Sequence, residues 1–296
     1  MEGLSIIIPV FNKIETTFRC IQSIREENAS ALYEIVVVDN GSTDGTQAFF
    51  SGEDNPPSPP FKKGGWPEAS FKNMARQISP PLKKGDEGGF SDNTKITYIR
   101  NPGNLGVSRA LNTGSARAQY DILCFMHNDV IVHKKNWTSS IREFITSHPD
   151  AGVVGLYGAK TVREDGSFRG KSIVHAKKDG PSMKKPFETV AVVDGMLMAM
   201  KKPVFEQLDG FSDDFIVHFY DKDISLKAIT GNYVNYVLNI PFEHVCAATR
   251  SDISDDDRIR DEAKDKFLGM WADSLPVDVT TWREKIKNIG RRKRNC

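Results

Sequence analysis

The chain has 296 residues, enough for one large α/β domain or for one domain with a short appendage. Hydrophobic residues make up 39% and charged residues 27%, the ordinary balance of a soluble globular protein. Lys and Arg number 40 against 39 Asp and Glu, so no positive field points to nucleic acid and no such partner is expected.

Leu4–Val10 is a continuous apolar run rich in isoleucine, the pattern of a strand buried on both faces. Ile14, Phe18, Ile21 and Ile24 then recur at helical spacing. Further strands are predicted at Glu34–Val38, Lys95–Ile99 and Asp121–Met126, with helices over Val107–Ala118 and around Trp137, Ile141, Phe144 and Ile145. This alternation predicts an α/β fold: a mostly parallel central sheet with helices on both faces and ligands bound beyond the carboxyl ends of the strands.

The segment 51–93 breaks the pattern. It is rich in Pro, Gly, Lys and Ser and contains a near-repeat, Ser58-Pro-Pro-Phe-Lys-Lys-Gly and Ser79-Pro-Pro-Leu-Lys-Lys-Gly. With little apolar surface to offset ordering entropy, it reads as a disordered insertion in a surface connection. Beyond Gly152 the expected elements are strands over Ser167–Ala176, Thr189–Met200 (interrupted at Asp194-Gly195) and Tyr233–Leu238, and helices over Pro203–Leu208 and Asp221–Thr230. Residues 255–294 read as helices ending in the basic run 291–294.

Cys20, Cys124, Cys246 and Cys296 form no CxxC pair and read as buried reduced thiols. The short apolar N-terminus lacks a basic flank, and no apolar run reaches membrane-spanning length, so a cytoplasmic location is expected. Trp282, Lys285, Ile286 and Ile289 before the basic run give two readings: a weak peripheral contact with an anionic membrane face, or a frayed solvated terminus.

The turns after the first two strands are Pro9-Val10-Phe11-Asn12 and Asp39-Asn40-Gly41-Ser42-Thr43-Asp44. In a parallel sheet they open on the same edge. Phe11 suits stacking on a heterocycle, Asp39 suits a ring N–H, and Asp44 suits orienting polar neighbours; the plainer alternative is a chain turn and a helix cap. After the next strand, Asn101-Pro-Gly-Asn104-Leu-Gly106 leads into a helix with Arg109 in its first turn, a place for an anion; the alternative for Arg109 is a pair with a surface carboxylate.

The strand Asp121–Met126 runs into His127-Asn128-Asp129, where Asp129 could hold a hard divalent cation or cap a turn. Asp221 opens a helix, whose dipole is expected to lower its pKa; it reads as a general base or as an N-cap. Asp223 falls on another face and could position the loop. His244 is a metal ligand only if the fold carries it to Asp129.

In this order, Ser5-Ile-Ile-Ile-Pro-Val-Phe-Asn12, Val36-Val-Val-Asp39-Asn-Gly-Ser-Thr-Asp44, Asn101-Pro-Gly-Asn-Leu-Gly-Val-Ser-Arg109, His127-Asn-Asp129, Leu208-Asp-Gly-Phe211, Tyr220-Asp221-Lys-Asp223 and the late His244 resemble family 2 of the inverting glycosyltransferases, including bacterial polysaccharide and rhamnosyltransferase-like members. The resemblance runs from about Leu4 to Cys246, apart from the insertion. It implies a GT-A (Rossmann-like) domain over 1–250, with a nucleotide-binding half at 1–130 and an acceptor half at 131–250, followed by a helical appendage at 251–296. The implied reaction moves a hexosyl or deoxyhexosyl group from a nucleotide diphosphate donor to a glycan or lipid-linked acceptor hydroxyl, in surface polysaccharide or glycan synthesis.

Residue by residue, Pro9, Val10, Phe11, Asn12, Asp39, Asn40, Asp44, Asn104, Gly106, Arg109, His127 and Asn128 fall at the donor site. Asp129, the last acid of the DxD motif, and His244 would hold Mn2+ or Mg2+. Asp221 matches the acid of the "ED" motif, the presumed base, with Asp223 as a second candidate. His127 and Asn128 replace the first two DxD positions, and Tyr220 replaces the usual Glu. Two other functions compete on this pattern: a nucleotidyltransferase, and a degenerate module that binds the nucleotide sugar without turnover.

Overall fold

The computed structural model describes residues 3–51, 95–168, 172–180, 183–245 and 255–282. The Pro-rich segment beyond Ser51, the basic tail, Cys246 and Cys296 lie outside these residues.

The first half contains β1 (Leu4–Val10), α1 (Ile14–Glu27), β2 (Tyr33–Asp39), α2 (Thr46–Ser51), β3 (Lys95–Arg100), α3 (Val107–Arg117), β4 (Ile122–Met126), β5 (Val130–Val132), α4 (Trp137–Ser147) and β6 (Ala151–Gly155). Shorter strands follow: β7 (Tyr157–Ala159), β8 (Thr161–Val162), β9 (Ile173–His175), β10 (Phe187–Val190), β11 (Val192–Val193) and β12 (Leu197–Lys201). The chain continues through α5 (Lys202–Gln207), α6 (Tyr220–Thr230), β13 (Val234–Leu238), β14 (Phe242–His244), α7 (Asp256–Trp271) and β15 (Val277–Asp278).

Eight strands form one sheet in the order β10-β13-β6-β12-β4-β1-β2-β3. The pairings β1·β2, β1·β4, β2·β3 and β6·β13 are parallel, as the alternation predicts. β12 runs antiparallel to both β4 and β6, and β10 antiparallel to β13. These exceptions arise where one interrupted strand was expected over Thr189–Met200; the chain instead makes β10, β11 and β12. The strand expected over Ser167–Ala176 shrinks to Ile173–His175 among the described residues.

Side chains alternate across the sheet because a strand has a period of two. Ile6, Ile8, Ile35, Val37, Cys124 and Met126 face a core closed by Cys20, Ile21 and Ile24 of α1 and Trp137, Ile141 and Ile145 of α4. Ile7, Val36, Val38, Leu123 and Phe125 face the opposite core, closed by Ala110 and Leu111 of α3, Ile224 of α6 and Phe267 of α7. Coverage of both faces explains why these strands are continuous apolar runs. Each buried Ile or Leu contributes on the order of 1.5–3 kcal/mol, so one charge placed at Ile7 or Val36 would break the layer.

Register then fixes the functional edge. Val10 pairs with Asp39, and Ile7 with Phe125, so the carboxyl ends of β1, β2 and β4 open side by side. β5 follows β4 directly and pairs antiparallel with β14, with His244 opposite Val130. The C-terminal segment is stitched onto this body: Ala263 and Phe267 are buried, Trp271 Nε1 donates to Asp223 Oδ1 at 3.0 Å, and β15 pairs with β8. Cys20 and Cys124 are buried free thiols, and burial pushes both pKa values up.

Candidate active site

A cavity of about 510 Å3 opens at this edge, within the size range of small-ligand sites. Pro9, Val10 and Phe11 from the end of β1, Asn40 from the end of β2, Asn104 and Gly106 before α3, and His127, Asn128 and Asp129 after β4 all line it. His244 joins them from β14. Ten residues picked from the sequence thus line one cavity, because parallel strands end on the same edge and β14 pairs with β5 beside them.

The loop before α3 owes its shape to Gly106. Its φ is +86°, and a Cβ there would meet the Ile216 backbone oxygen and side chain at 2.7 Å. Val107 N donates to that same oxygen at 2.6 Å, which seats the loop against the segment preceding α6. Asn104 Oδ1 accepts from Gly106 N at 3.0 Å and holds the turn.

His127, Asp129 and His244 each offer a ligand atom, and all three atoms lie within 4.8 Å of one another. His244 Nε2 is 3.1 Å from Asp129 Oδ1. That hydrogen bond raises the His244 pKa, chiefly by favouring the imidazolium, and the Asp129 charge acts in the same sense. His127 Nε2 meets the Tyr220 hydroxyl at 2.8 Å, and Asn128 Nδ2 donates to Thr17 Oγ1 at 2.8 Å. One carboxylate and two imidazoles make a borderline N/O donor set that fits a divalent transition ion such as Mn2+ better than Mg2+.

Several expected contacts fall elsewhere. Asp39 is fully buried and does not line the cavity: Oδ2 takes the Tyr98 hydroxyl and Arg100 Nη1, each at 2.5 Å, and Oδ1 takes Ser42 N at 2.8 Å. Its neighbour Asn40 is the residue on the wall. Asn12 ties the two turns together, with Oδ1 accepting from Thr43 N and its own N–H donating to Ser42 Oγ. Asp44 accepts from Ile14 N at 3.0 Å and from Thr46 Oγ1 at 2.6 Å, so it holds the first turn of α1 and the start of α2. Arg109 pairs with Asp213 at 3.2 Å on the surface, outside the cavity.

Neither candidate base is on the cavity lining. Asp223 is buried against Lys227 Nζ at 3.0 Å and Trp271 Nε1, away from the cavity lining. Asp221 lies beside the cavity rather than on its lining; Oδ2 accepts from Gly195 N at 3.2 Å and Oδ1 from Lys222 N at 2.9 Å. Its pKa is raised, not lowered as the helix dipole predicts. Desolvation dominates, and the charge of Asp194 adds to it.

Asp194, Tyr157, Phe168, Lys177, Met196, Val217 and His218 form the rest of the lining. Only the Asp194-Gly195 break in a strand pattern marked any of them in the sequence. That glycine is required, since a Cβ would overlap the Tyr220 hydroxyl. His218 is held by Asp256 of α7, Nε2 to Oδ1 at 2.7 Å, a partnership 38 residues apart that no local motif encodes.

Comparison with known proteins agrees with this architecture. The description "Glycosyltransferase like family" matches residues 93–271, and "Glycosyl transferase family 2" matches residues 5–56. Glycosyltransferase AglE of Haloferax volcanii is 28% identical over 133 residues, which is 45% of this chain and 32% of that protein. The chain therefore matches less than half the length of that relative.

Among solved structures, the mannosyltransferase PcManGT from Pyrobaculum calidifontis, in complex with GDP-Man and Mn2+, aligns with TM-score 0.52 at 17% identity, covering 82% of this chain and 57% of that one. GalNAc-T7 with UDP, GalNAc and Mn2+ aligns with TM-score 0.56 at 14% identity, covering 83% and 44%. These likenesses establish the GT-A fold, with its mixed, mostly parallel sheet. Two family matches in tandem, one spanning more than half of the chain, and the ordered strand-end residues lead to one conclusion: the chain belongs to the family 2 glycosyltransferases.

Proposed function

We propose that the protein transfers a sugar from a nucleotide diphosphate donor to an acceptor hydroxyl with inversion at the anomeric carbon, assisted by a divalent metal. The observation that carries this reading is the convergence of Phe11, Asn40, Asn104 and Gly106 with His127, Asp129 and His244 on one cavity. Phe11 and the strand-end turns suit the nucleoside, and Asp129, His127 and His244 would hold the metal. A divalent ion there would neutralise the diphosphate and stabilise it as a leaving group.

Asp221 is the proposed base. Desolvation and the Asp194 charge both raise its pKa, which makes its carboxylate a better proton acceptor than an exposed one. The Gly195 N–H fixes one oxygen beside the turn that carries cavity-lining Asp194. In the proposed displacement the acceptor O–H gives its proton to Asp221, its oxygen forms the new bond to the anomeric carbon, and the nucleoside diphosphate departs with the electrons of the broken C–O bond. Tyr157 and Phe168 offer aromatic faces on the cavity wall, which suits a glycan acceptor, free or lipid-linked. No helix among the described residues is long and apolar enough to cross a membrane.

The test is a panel of UDP-, GDP- and dTDP-sugars with Mn2+ or Mg2+, read as release of nucleoside diphosphate. Turnover in wild type, lost in Asp129→Ala and in Asp221→Asn, supports the reading. Binding without turnover across donors and candidate glycan acceptors would indicate a non-catalytic nucleotide-sugar module.

A further inference from the structure

The donor cavity needs positive charge for a diphosphate, and the arginines nearest to it in sequence do not supply it. Arg109 pairs with Asp213 on the surface and does not line the cavity, and Arg100 pairs with buried Asp39. Among the described residues that line the cavity, Lys177 is the only lysine or arginine. It comes from the segment after β9.

Its mount is specific. Lys177 bridges Phe242 of β14 in parallel, and Lys178 N donates to Phe242 O at 2.9 Å. This backbone seam places Lys177 beside the strand that ends in His244. The Lys177 ammonium lies 5.8 Å from the centroid of the Tyr157 ring, which stacks on His175 at 5.5 Å. An aromatic shelf and a flexible four-carbon stem thus hold an exposed ammonium at the edge of the cavity shared with Asp129 and His244.

We propose that Lys177 binds the diphosphate of the nucleotide-sugar donor and stays with it as it leaves. The inference rests on the transferase reading and adds a residue to it. A lysine suits this role because its compact ammonium on a flexible stem pairs with a phosphate as a point charge.

The experiment is calorimetric titration of the full chain with UDP, GDP, UMP and GMP, in Mn2+ and separately in EDTA, on wild type, Lys177→Ala, Lys177→Arg and Lys178→Ala. Loss of a charge-assisted hydrogen bond is expected to weaken diphosphate binding on the order of tenfold in Lys177→Ala, with monophosphate affinity unchanged. Lys177→Arg should stay near wild type, and Lys178→Ala, on the exposed neighbour, should match it. Thermal unfolding checks that each variant is folded.

Equal loss of mono- and diphosphate affinity, no loss at all, or a loss that disappears in EDTA would overturn the assignment. Wild type that binds neither nucleoside diphosphate would remove the donor reading itself, and the Lys177 assignment with it.

Discussion

The imidazole of His244 lies 3.1 Å from the carboxylate of Asp129, across 115 residues of chain. The pairing of β14 with β5 makes the contact, because His244 falls opposite Val130 and Val245 N donates to the Asp129 backbone oxygen at 2.9 Å. A residue at the end of the catalytic body is thereby delivered to the strand end where the candidate metal site begins.

This contact sets a pH dependence. The hydrogen bond to Asp129 raises the His244 pKa in the folded state above its ordinary value of about 6.5. In metal-free protein the pair therefore contributes stability that is fully present below about pH 6.5 and is lost as pH rises through the folded pKa. Metal binding runs the other way, since a ligating imidazole must be deprotonated. Mn2+ affinity by calorimetry should rise with pH through that range, and the melting-temperature advantage of metal-free wild type over His244→Gln should fade over it. A flat affinity profile would remove His244 from the ligand set.

Substitutions at the metal residues should separate from folding. Asp129→Ala and His244→Ala are each expected to weaken Mn2+ binding by at least tenfold, with Mn2+ preferred over Mg2+ in wild type because two of the three donors are imidazoles. The readout is Mn2+ electron paramagnetic resonance on free and bound ion.

Asp221 and Asp223 should divide cleanly. Asp223 is 1% exposed and joins α6 to Trp271 of α7, so Asp223→Ala is expected to cost about 1–3 kcal/mol of stability in denaturant unfolding. Asp221→Asn should leave the unfolding midpoint near wild type and reduce diphosphate release by two orders of magnitude or more. The reverse pattern would exchange their roles.

Asp39 should behave as a structural residue. Removing its carboxylate leaves the Tyr98 hydroxyl, Arg100 and Ser42 N–H without their shared acceptor. Asp39→Ala is expected to lose about 1–3 kcal/mol, at the lower end because Arg100 is 32% exposed and regains water. Arg100→Ala should lose less, and chemical denaturation of both variants measures the difference.

Gly106→Ala tests the loop before α3. A left-handed φ of +86° and the approach of Ile216 leave no place for a methyl group. Destabilisation of roughly 1–3 kcal/mol is expected, with a larger fall in nucleoside diphosphate affinity than in stability, because the loop lines the cavity.

Much of this was legible in the sequence for local reasons. A strand buried on both faces must be apolar throughout, so β1, β2 and β4 announced themselves, and a parallel sheet opens its strand ends on one edge. Phe11, Asn40, Gly106, His127 and Asp129 could therefore be placed before any coordinates. The antiparallel β12 was not legible, because its direction depends on which strands it inserts between rather than on its own composition.

Only the tertiary structure decided which polar groups are spent on the scaffold and which face the cavity. Asp39 and Arg109 carry the right chemistry in the right motifs, yet Arg100 and Asp213 claim them. Lys177 and His218 carry no motif, yet the β9–β14 seam and α7 bring them to the lining. Periodicity and strand-end position are written in neighbouring residues, whereas charge pairing and cavity lining come from contacts between residues tens to more than a hundred positions apart. A single sequence does not specify those contacts until the chain is folded.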